Sequence, residues 1–171
     1  GPLILGLALG ACAALLLGRA LDGAVRERTR QGLASMLERF EAELKNGLPP
    51  EPGVHEWVRV AARQSRARVT LIDPSGVVLS DSDVDAARLP TLENHLGRPE
   101  VVAARESGIG FAERRSASVV KPLLYVARRV GPPGSPLGYV RIAVLETSLE
   151  AEEAPFRAVL TRTALGAGLL V

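Results

Sequence analysis

The sequence predicts an α+β fold, in which a five-stranded antiparallel sheet follows two helices and carries a helical insertion after its second strand. Apolar runs at residues 69–72 and 77–79 flank the turn sequence Asp-Pro-Ser-Gly of residues 73–76. Pro presets φ and Gly adopts the positive φ of a turn, so these runs form a β-hairpin. Helical periodicity precedes the hairpin and three strand-like segments follow it.

Charge-free apolar segments lie at both ends of the chain. Residues 2–18 contain no charge and reach the lower limit of the roughly 17 to 25 residues that a spanning helix needs. We therefore expect a first, incomplete transmembrane helix at residues 1–18, although a cleaved signal peptide has a similar pattern. Residues 164–171 are also uncharged and predict the truncated start of a second transmembrane helix.

A charged but periodic segment follows at residues 19–48. Its apolar stripe consists of Leu21, Val25, Leu33, Met36, Leu37, Phe40 and Leu44. We interpret it as a signalling helix whose stripe packs on its own domain, on the same helix of a second subunit, or on both, as in a homodimer. Asn46 and Gly47, followed by two prolines, end the helix because Gly suits the left-handed terminal position.

The remaining elements follow from periodicity and from the residues that start and stop them. Pro99 lies in the first turn of the insertion helix, and Ser107-Gly108 stops it. A Pro-rich turn separates the last two strands. In order, we predict a helix at 54–67, the hairpin, irregular or short helical turns at 83–96, a helix at 99–106, and strands at 110–118, 122–130 and 137–145.

The end of the chain predicts an outgoing helix. Thr147 and Glu150 match a capping box, and Arg157 and Arg162 suit a membrane surface. We therefore divide the chain into a sensor-sized domain at residues 54–146 and a helix at residues 147–171 that enters the second transmembrane helix.

Metal and disulfide chemistry find little support in the sequence. Cys12 is the single cysteine, and His55 and His95 lie on different elements without paired-ligand spacing. Acids at 81, 83 and 85 begin like a calcium loop, but Ala86 and Leu92 occupy the positions that require Gly and the bidentate Glu. We predict no metal and no cofactor.

The sequence also does not match the motifs of catalytic sites or of nucleic-acid-binding surfaces. Gly108 and Gly110 lack the third glycine of a dinucleotide fingerprint, and Ser135 lies in a Pro-rich loop without the pattern of a nucleophile elbow. The net charge is only +2 and aromatic residues amount to 4%, too few for a base-stacking surface. We therefore expect neither an enzyme nor a nucleic-acid-binding protein in this chain.

Two arginine pairs, at residues 114–115 and 128–129, fall on strands predicted to be adjacent. Because side chains alternate faces, one arginine of each pair can share a face with one of the other and bind a carboxylate or phosphate. Alternatively, these are solvated arginines paired with Glu113 and similar acids.

Several motifs together carry a family resemblance. They are Leu-Ile-Asp-Pro-Ser-Gly-Val-Val-Leu-Ser-Asp-Ser at 71–82, Glu-Asn-His at 93–95, Arg-Pro-Glu-Val at 98–101 and Leu-Tyr-Val-Ala at 124–127. In this order they resemble the extracytoplasmic sensor domain of bacterial sensor histidine kinases of the phosphate-regulon type. The resemblance covers most of residues 69–145.

The resemblance implies a PAS-like sensor domain outside the cytoplasm of a homodimeric inner-membrane kinase. The catalytic parts of the kinase would then lie in cytoplasmic domains that are absent from this chain. A response regulator would be a partner only of those domains. Two alternatives stay open: the sensor region of a chemoreceptor or cyclic-dinucleotide enzyme, and a membrane-anchored domain that binds a periplasmic protein partner and no small ligand.

If the domain binds a small anionic ligand, we expect the concave face between the sheet and the insertion to hold it. The candidate ligand-binding residues are Asp81, His95, Arg98, Arg115 and Tyr125. A competing interpretation is that Asp81, His95 and Arg98 tie the insertion to the sheet through hydrogen bonds.

Overall fold

The structure, a computed structural model, describes the backbone of residues 2–115 and 122–145. Within these ranges it describes every side chain except those of residues 2–11, 13, 14, 22, 115 and 122. The elements are α1 (Pro2–Leu44), α2 (Gly53–Ser65), β1 (Arg68–Ile72), β2 (Val78–Asp81), a 3₁₀ helix (Ala86–Thr91), α3 (Pro99–Ser107), β3 (Ile109–Arg115), β4 (Pro122–Val130) and β5 (Gly138–Leu145).

The five described strands form one sheet in the order β2-β1-β5-β4-β3, and every neighbouring pair is antiparallel. β5 therefore lies at the centre, between β1 and β4. The predicted fold class is confirmed, including the hairpin β1–β2 and the helical insertion after β2. Alternation along the strands divides the sheet into two faces with different coverings.

Apolar residues occupy the first face, which packs against α2 and the second half of α1. Leu37 and Phe40 of α1 and Val58 of α2 are buried there, over Leu71 of β1 and Ile142 of β5. Since α1 contributes fully buried residues, the compact unit that contains the sheet begins at Gln31. It thus begins earlier than the predicted domain start at residue 54.

The second face is covered by α3. Val101 and Ala104 of α3 pack on Ile72, Ala127 and Tyr139 of the sheet. This close approach depends on a glycine in β3. A Cβ added at Gly110 would overlap the backbone oxygen of Glu100 and lie 2.8 Å from the Cβ of Ala103.

Several element boundaries differ from the prediction. α2 ends at Ser65 because Arg66 adopts a positive φ of 50°, and β2 continues to Asp81, beyond the predicted end of the hairpin. α1 ends at Leu44, ahead of the turn at Gly47, whose φ is 135°.

The first part of α1, up to Arg30, belongs to a separate unit from the one that contains the sheet. Among the described residues, no helix is long and apolar enough to span a membrane. The capping box, the outgoing helix and the second transmembrane helix, predicted at residues 147–171, lie outside the described residues, as does the predicted end of β3 at residues 116–118.

Candidate functional site

Charged and polar side chains gather on the second face of the sheet, beside the N-terminal turn of α3. We call this group the polar cluster; it consists of Arg68, Thr70, Asp81, Glu100, Arg114, Tyr125 and Arg141. Its members come from β1, β2, β4, β5, β3 and α3. The cluster therefore connects the insertion to nearly the whole width of the sheet.

Glu100 occupies the centre of the cluster because of how α3 begins. Pro99 starts the helix with its fixed φ, and Glu100 follows in the first turn, with an exposed fraction of 0%. Arg114 donates to both carboxylate oxygens, at 3.1 and 2.9 Å, and Arg141 Nη1 lies 3.4 Å from Oε1. A carboxylate in the first turn of α3 is thus held by arginines of two different strands.

Asp81 forms the second anionic centre. Arg68 Nε donates to Oδ1 at 2.9 Å, and the Thr70 hydroxyl donates to Oδ2 at 2.7 Å. Arg141 Nη2 in turn donates to the Thr70 hydroxyl oxygen at 3.1 Å. A continuous chain of hydrogen bonds therefore runs from Glu100 through Arg141 and Thr70 to Asp81.

Tyr125 provides the aromatic surface of the cluster. The guanidinium carbons of Arg114 and Arg141 lie 4.1 and 5.3 Å from the centre of its ring. Both distances suit a cation–π interaction, which strengthens when the cation is shielded from water. The ring and Glu100 thus position the same two arginines.

Positive charge exceeds negative charge in the cluster. Among the described side chains that form it, three guanidinium groups meet two carboxylates, which leaves one positive charge. Arg141 is 4% exposed, and no described residue supplies a hydrogen-bond partner for its Nε. Burial lowers the pKa of Arg141, and the charge of Glu100 offsets this only in part. The arrangement is suited to receive a further anionic group.

The pKa of Arg68 shifts in the opposite direction from that of Arg141. Burial lowers the pKa of Arg68, but the hydrogen bond and charge of Asp81 outweigh it, so the pKa lies above its usual value. The side chain of Asp81 is itself fully buried. Arg68 and Asp81 therefore form a tightly paired edge of the cluster, and the unmatched charge belongs to the side of Arg141.

His95 is buried close to the cluster and anchors the insertion. Its backbone N–H donates to Gly76 O at 2.8 Å, and Asn94 Nδ2 donates to Ser75 O, also at 2.8 Å. Burial, together with the charge of Arg141, lowers the pKa of the imidazole. The lowered pKa favours the neutral form of the imidazole.

The predicted candidate residues separate into three groups. Asp81 and Tyr125 belong to the polar cluster, and His95 lies near it. Arg98 immediately precedes α3 and donates to the largely exposed Glu93 at 2.9 Å. The backbone of Arg115 pairs with Pro122, and its side chain lies outside the described part of the chain.

The sequence analysis does not single out four members of the cluster as site residues: Arg68, Thr70, Glu100 and Arg141. Arg114 belongs to one of the two arginine pairs considered for anion binding, and it binds the carboxylate of Glu100. A signal was present, because polar residues alternate with apolar ones at positions 68–72 of β1 and 139–143 of β5. Alternation places these polar residues on one face but does not say which element covers that face.

Of the two interpretations left open for the arginine pairs, the structure favours pairing with acids over a shared anion site. In the antiparallel register of β3 and β4, Arg114 pairs with Leu123, whereas Arg128 pairs with Ile109 at the opposite end. Arg128 instead contacts Glu38 and Glu41 of α1.

Arg129 has a separate role. Its Nη1 donates to the backbone oxygen of Arg105 at 2.6 Å, near the C-terminal end of α3. Such a contact satisfies a terminal carbonyl and complements the helix dipole.

Comparison with known proteins gives a fold and no family. No family model and no curated protein matches the chain. The structure is similar to solved ligand-binding domains of bacterial chemoreceptors. The domain of Campylobacter jejuni Tlp3 in complex with L-valine has a TM-score of 0.60 and 17% identity, covering 76% of this chain and 58% of that chain.

Two further domains resemble the structure to the same degree. For the Pseudomonas aeruginosa PAO1 amino acid chemoreceptor PctC in complex with GABA, the TM-score is 0.62 and the identity 19%, covering 81% of this chain and 63% of that chain. For the Pseudomonas fluorescens chemoreceptor CtaA in complex with L-alanine, the TM-score is 0.58 and the identity 16%, covering 80% of this chain and 61% of that chain. The chain spans less than two thirds of each of these domains. The likeness shows the fold alone: a five-stranded antiparallel sheet with helices, similar to that of these ligand-binding domains.

Proposed function

We propose that this chain is the signal-input region of a membrane-bound receptor, and that the polar cluster binds the anionic group of a small ligand. The observation that carries the proposal is the excess of guanidinium groups over carboxylates beside α3, together with the buried Arg141, whose Nε has no hydrogen-bond partner among the described residues. Arginine presents a planar fork of donors that matches a carboxylate, and it stays charged when buried. The large majority of buried donors in folded proteins have a hydrogen-bond partner, so the unpaired Nε of Arg141 indicates a role beyond a structural network.

The fold supports a ligand of modest size. The similar domains of Tlp3, PctC and CtaA are described in complex with L-valine, GABA and L-alanine, which are all small organic acids with an amino group. In this chain, Arg141 and Arg114 would meet the carboxylate of such a ligand, with Tyr125 beside it. Asp81, Arg115, His95 and Arg98 remain proposed contacts around the same position.

The elements at the two ends of the chain would carry the signal. β5 contributes Arg141 to the cluster and ends at Leu145, just ahead of the predicted outgoing helix of residues 147–171. α1 combines the predicted transmembrane segment of residues 1–18, where Leu15 and Leu16 are exposed, with the signalling helix of residues 19–48. A ligand that favours one arrangement of β5 would shift both helices, and a homodimer would couple two copies.

Two output classes fit this input region. The sequence motifs favour a phosphate-regulon-type sensor histidine kinase of the inner membrane, with the sensor outside the cytoplasm. The fold likeness favours a chemoreceptor. The full-length coding sequence distinguishes them: a phosphoacceptor helix and an ATP-binding domain identify a kinase, and a long methyl-accepting coiled coil identifies a chemoreceptor.

A thermal-shift screen of the 171-residue chain tests ligand binding itself. The screen should include amino acids, small mono- and dicarboxylates and inorganic phosphate, each against sodium chloride of equal ionic strength. A ligand that binds only the folded state raises the melting temperature. We expect at least one small carboxylate to do so in the wild type and to have no effect in Arg141→Gln. A screen without a shift would overturn the proposal and favour a domain that binds a protein partner.

A further inference from the structure

The side chain of Glu100 fills the position that an anionic ligand would need. We infer that its carboxylate occupies the ligand-carboxylate subsite of the polar cluster, and that a ligand carboxylate binds by displacing it. This inference rests on the proposed function insofar as it takes the cluster to be the ligand site. Beyond the proposed function, it identifies Glu100 as the group that occupies the subsite, a carboxylate as the group that replaces it, and α3 as the helix that moves.

The two carboxylates of the cluster are held differently. Asp81 lies in β2 and its partners Arg68 and Thr70 lie in the adjacent strand β1, so the pair belongs to one hairpin. Glu100 instead comes from α3, outside the sheet, and reaches arginines of β3 and β5. Its carboxylate can therefore leave the sheet together with α3 without any change in strand pairing.

Glu100 satisfies its two arginines unequally. Arg114 makes a two-pronged contact with both oxygens, whereas Arg141 reaches Oε1 only at 3.4 Å. No described group pairs with Nε of Arg141, although this side chain is almost completely buried. A carboxylate that engages Nε and one Nη of Arg141 together would recover a hydrogen bond that Glu100 leaves unmade.

The geometry also defines the ligand class. A group that replaces Glu100 between Arg114 and Arg141 is planar, carries two oxygens and has one negative charge, as an alkyl carboxylate does. Displacement would release the first turn of α3 from the sheet, while Arg129 would still hold its C-terminal end. Ligand binding would thus tilt α3 about that end.

The experiment is a chemical rescue with acetate. Glu100→Ala removes a methylene and a carboxylate, which acetate replaces atom for atom. In the 171-residue chain we expect acetate to raise the melting temperature of Glu100→Ala, with an apparent dissociation constant at least about tenfold lower than for the wild type. The matched control is Glu106→Ala, which changes an exposed glutamate of the same helix and should respond to acetate like the wild type.

A second variant keeps the test decisive if Glu100→Ala folds poorly. Glu100→Gln keeps the size of the side chain and removes its charge, so it should also bind acetate more tightly than the wild type. Adding Arg141→Gln to either variant should abolish the response. An equal acetate response in the Glu100 and Glu106 variants, or a response that survives Arg141→Gln, would overturn the inference.

The outcome separates this inference from the proposed function. If acetate rescues the Glu100 variants but no compound in the screen shifts the wild type, the carboxylate subsite is established and the sensor role fails. If a screened ligand shifts the wild type but acetate does not rescue the Glu100 variants, the sensor role stands and the displacement of Glu100 is wrong.

Discussion

Arg141, in the central strand of the sheet, lies with Nη1 3.4 Å from Oε1 of Glu100 in the first turn of α3, and both side chains are buried. This pair joins β5, which precedes the predicted outgoing helix, to α3, which covers the polar cluster. Any change at the cluster therefore acts on both elements.

Arg141→Ala should lower the free energy of unfolding by about 3 kcal/mol. Breaking a buried ion pair costs about 3–5 kcal/mol, and Arg114 still compensates part of the charge of Glu100. Urea denaturation of the 171-residue chain measures the change. The control Arg105→Ala changes an exposed arginine of α3, the helix that contains Glu100. Its free energy of unfolding should stay within about 0.5 kcal/mol of the wild type. Equal losses in the two variants would show that the buried pair does not stabilise the domain.

Gly110→Ala should destabilise the fold by about 1–3 kcal/mol, the usual cost of overpacking. The added methyl group would overlap the backbone of Glu100, because α3 lies directly on β3 at this point. Gly97→Ala is the matched control, since no described atom lies within 4 Å of a Cβ at that position. Thermal unfolding compares the two. A smaller effect at Gly110 than at Gly97 would contradict the packing of α3 on the sheet.

Stability should fall as the pH drops below about 6.5 because of His95. Burial and the charge of Arg141 lower the pKa of the folded imidazole below its ordinary value of 6.5; the charge of Arg98 also lowers it, and that of Asp81 opposes the shift. The unfolded state then binds the proton more readily, so stability is fully present above pH 6.5 and is lost toward the folded pKa. The loss approaches about 1.4 kcal/mol per pH unit.

Urea midpoints between pH 7.5 and 5 measure this effect. His95→Gln cannot take up the proton, and its stability should depend less steeply on pH than that of the wild type. Parallel pH profiles would mean that His95 does not account for the loss.

The contact of Arg128 with Glu41 should appear as a coupling between β4 and α1. Both side chains are partly exposed, so a double-mutant cycle with alanine should give about 0.5–1 kcal/mol. Arg128→Ala combined with Glu106→Ala should be additive, because Glu106 is an exposed residue of α3 on the other face of the sheet. A coupling energy of zero for Arg128 and Glu41 would remove this link between the sheet and α1.

The order of elements was predictable because local residues define it. Pro74 and Gly76 specify the hairpin turn, and Pro99 and Gly108 mark the two ends of α3; Gly108 adopts the positive φ expected of a helix stop. The end of α2 was harder to predict from the sequence, because the residue with left-handed backbone there is Arg66 and not the glycine that usually marks a helix end.

The polar cluster was predictable only in part. Asp81 and Tyr125 were expected to lie near each other, and both belong to the cluster. A glutamate at position 100 looks like an ordinary solvated residue that favours a helix N-terminus. Its complete burial arises because α3 lies across the sheet, and this tertiary contact is not encoded in any local pattern.

Strand register explains why the two arginine pairs do not form a shared anion site. Adjacent antiparallel strands bring together residues that lie symmetrically about the connecting turn. Because Arg128 pairs with Ile109, it lies at the opposite end of β3 from Arg114. The register depends on the length of the connection between β3 and β4, which the residue pattern of the strands does not specify.

The most direct test of the central claim is calorimetric titration of the 171-residue chain with the carboxylate that gives the largest thermal shift. Wild type and Arg141→Lys are compared, because lysine keeps the charge but loses the two-pronged geometry. We expect saturable one-site binding to the wild type and at least about tenfold weaker binding to Arg141→Lys. Equal affinity for the two proteins would contradict a carboxylate site at Arg141.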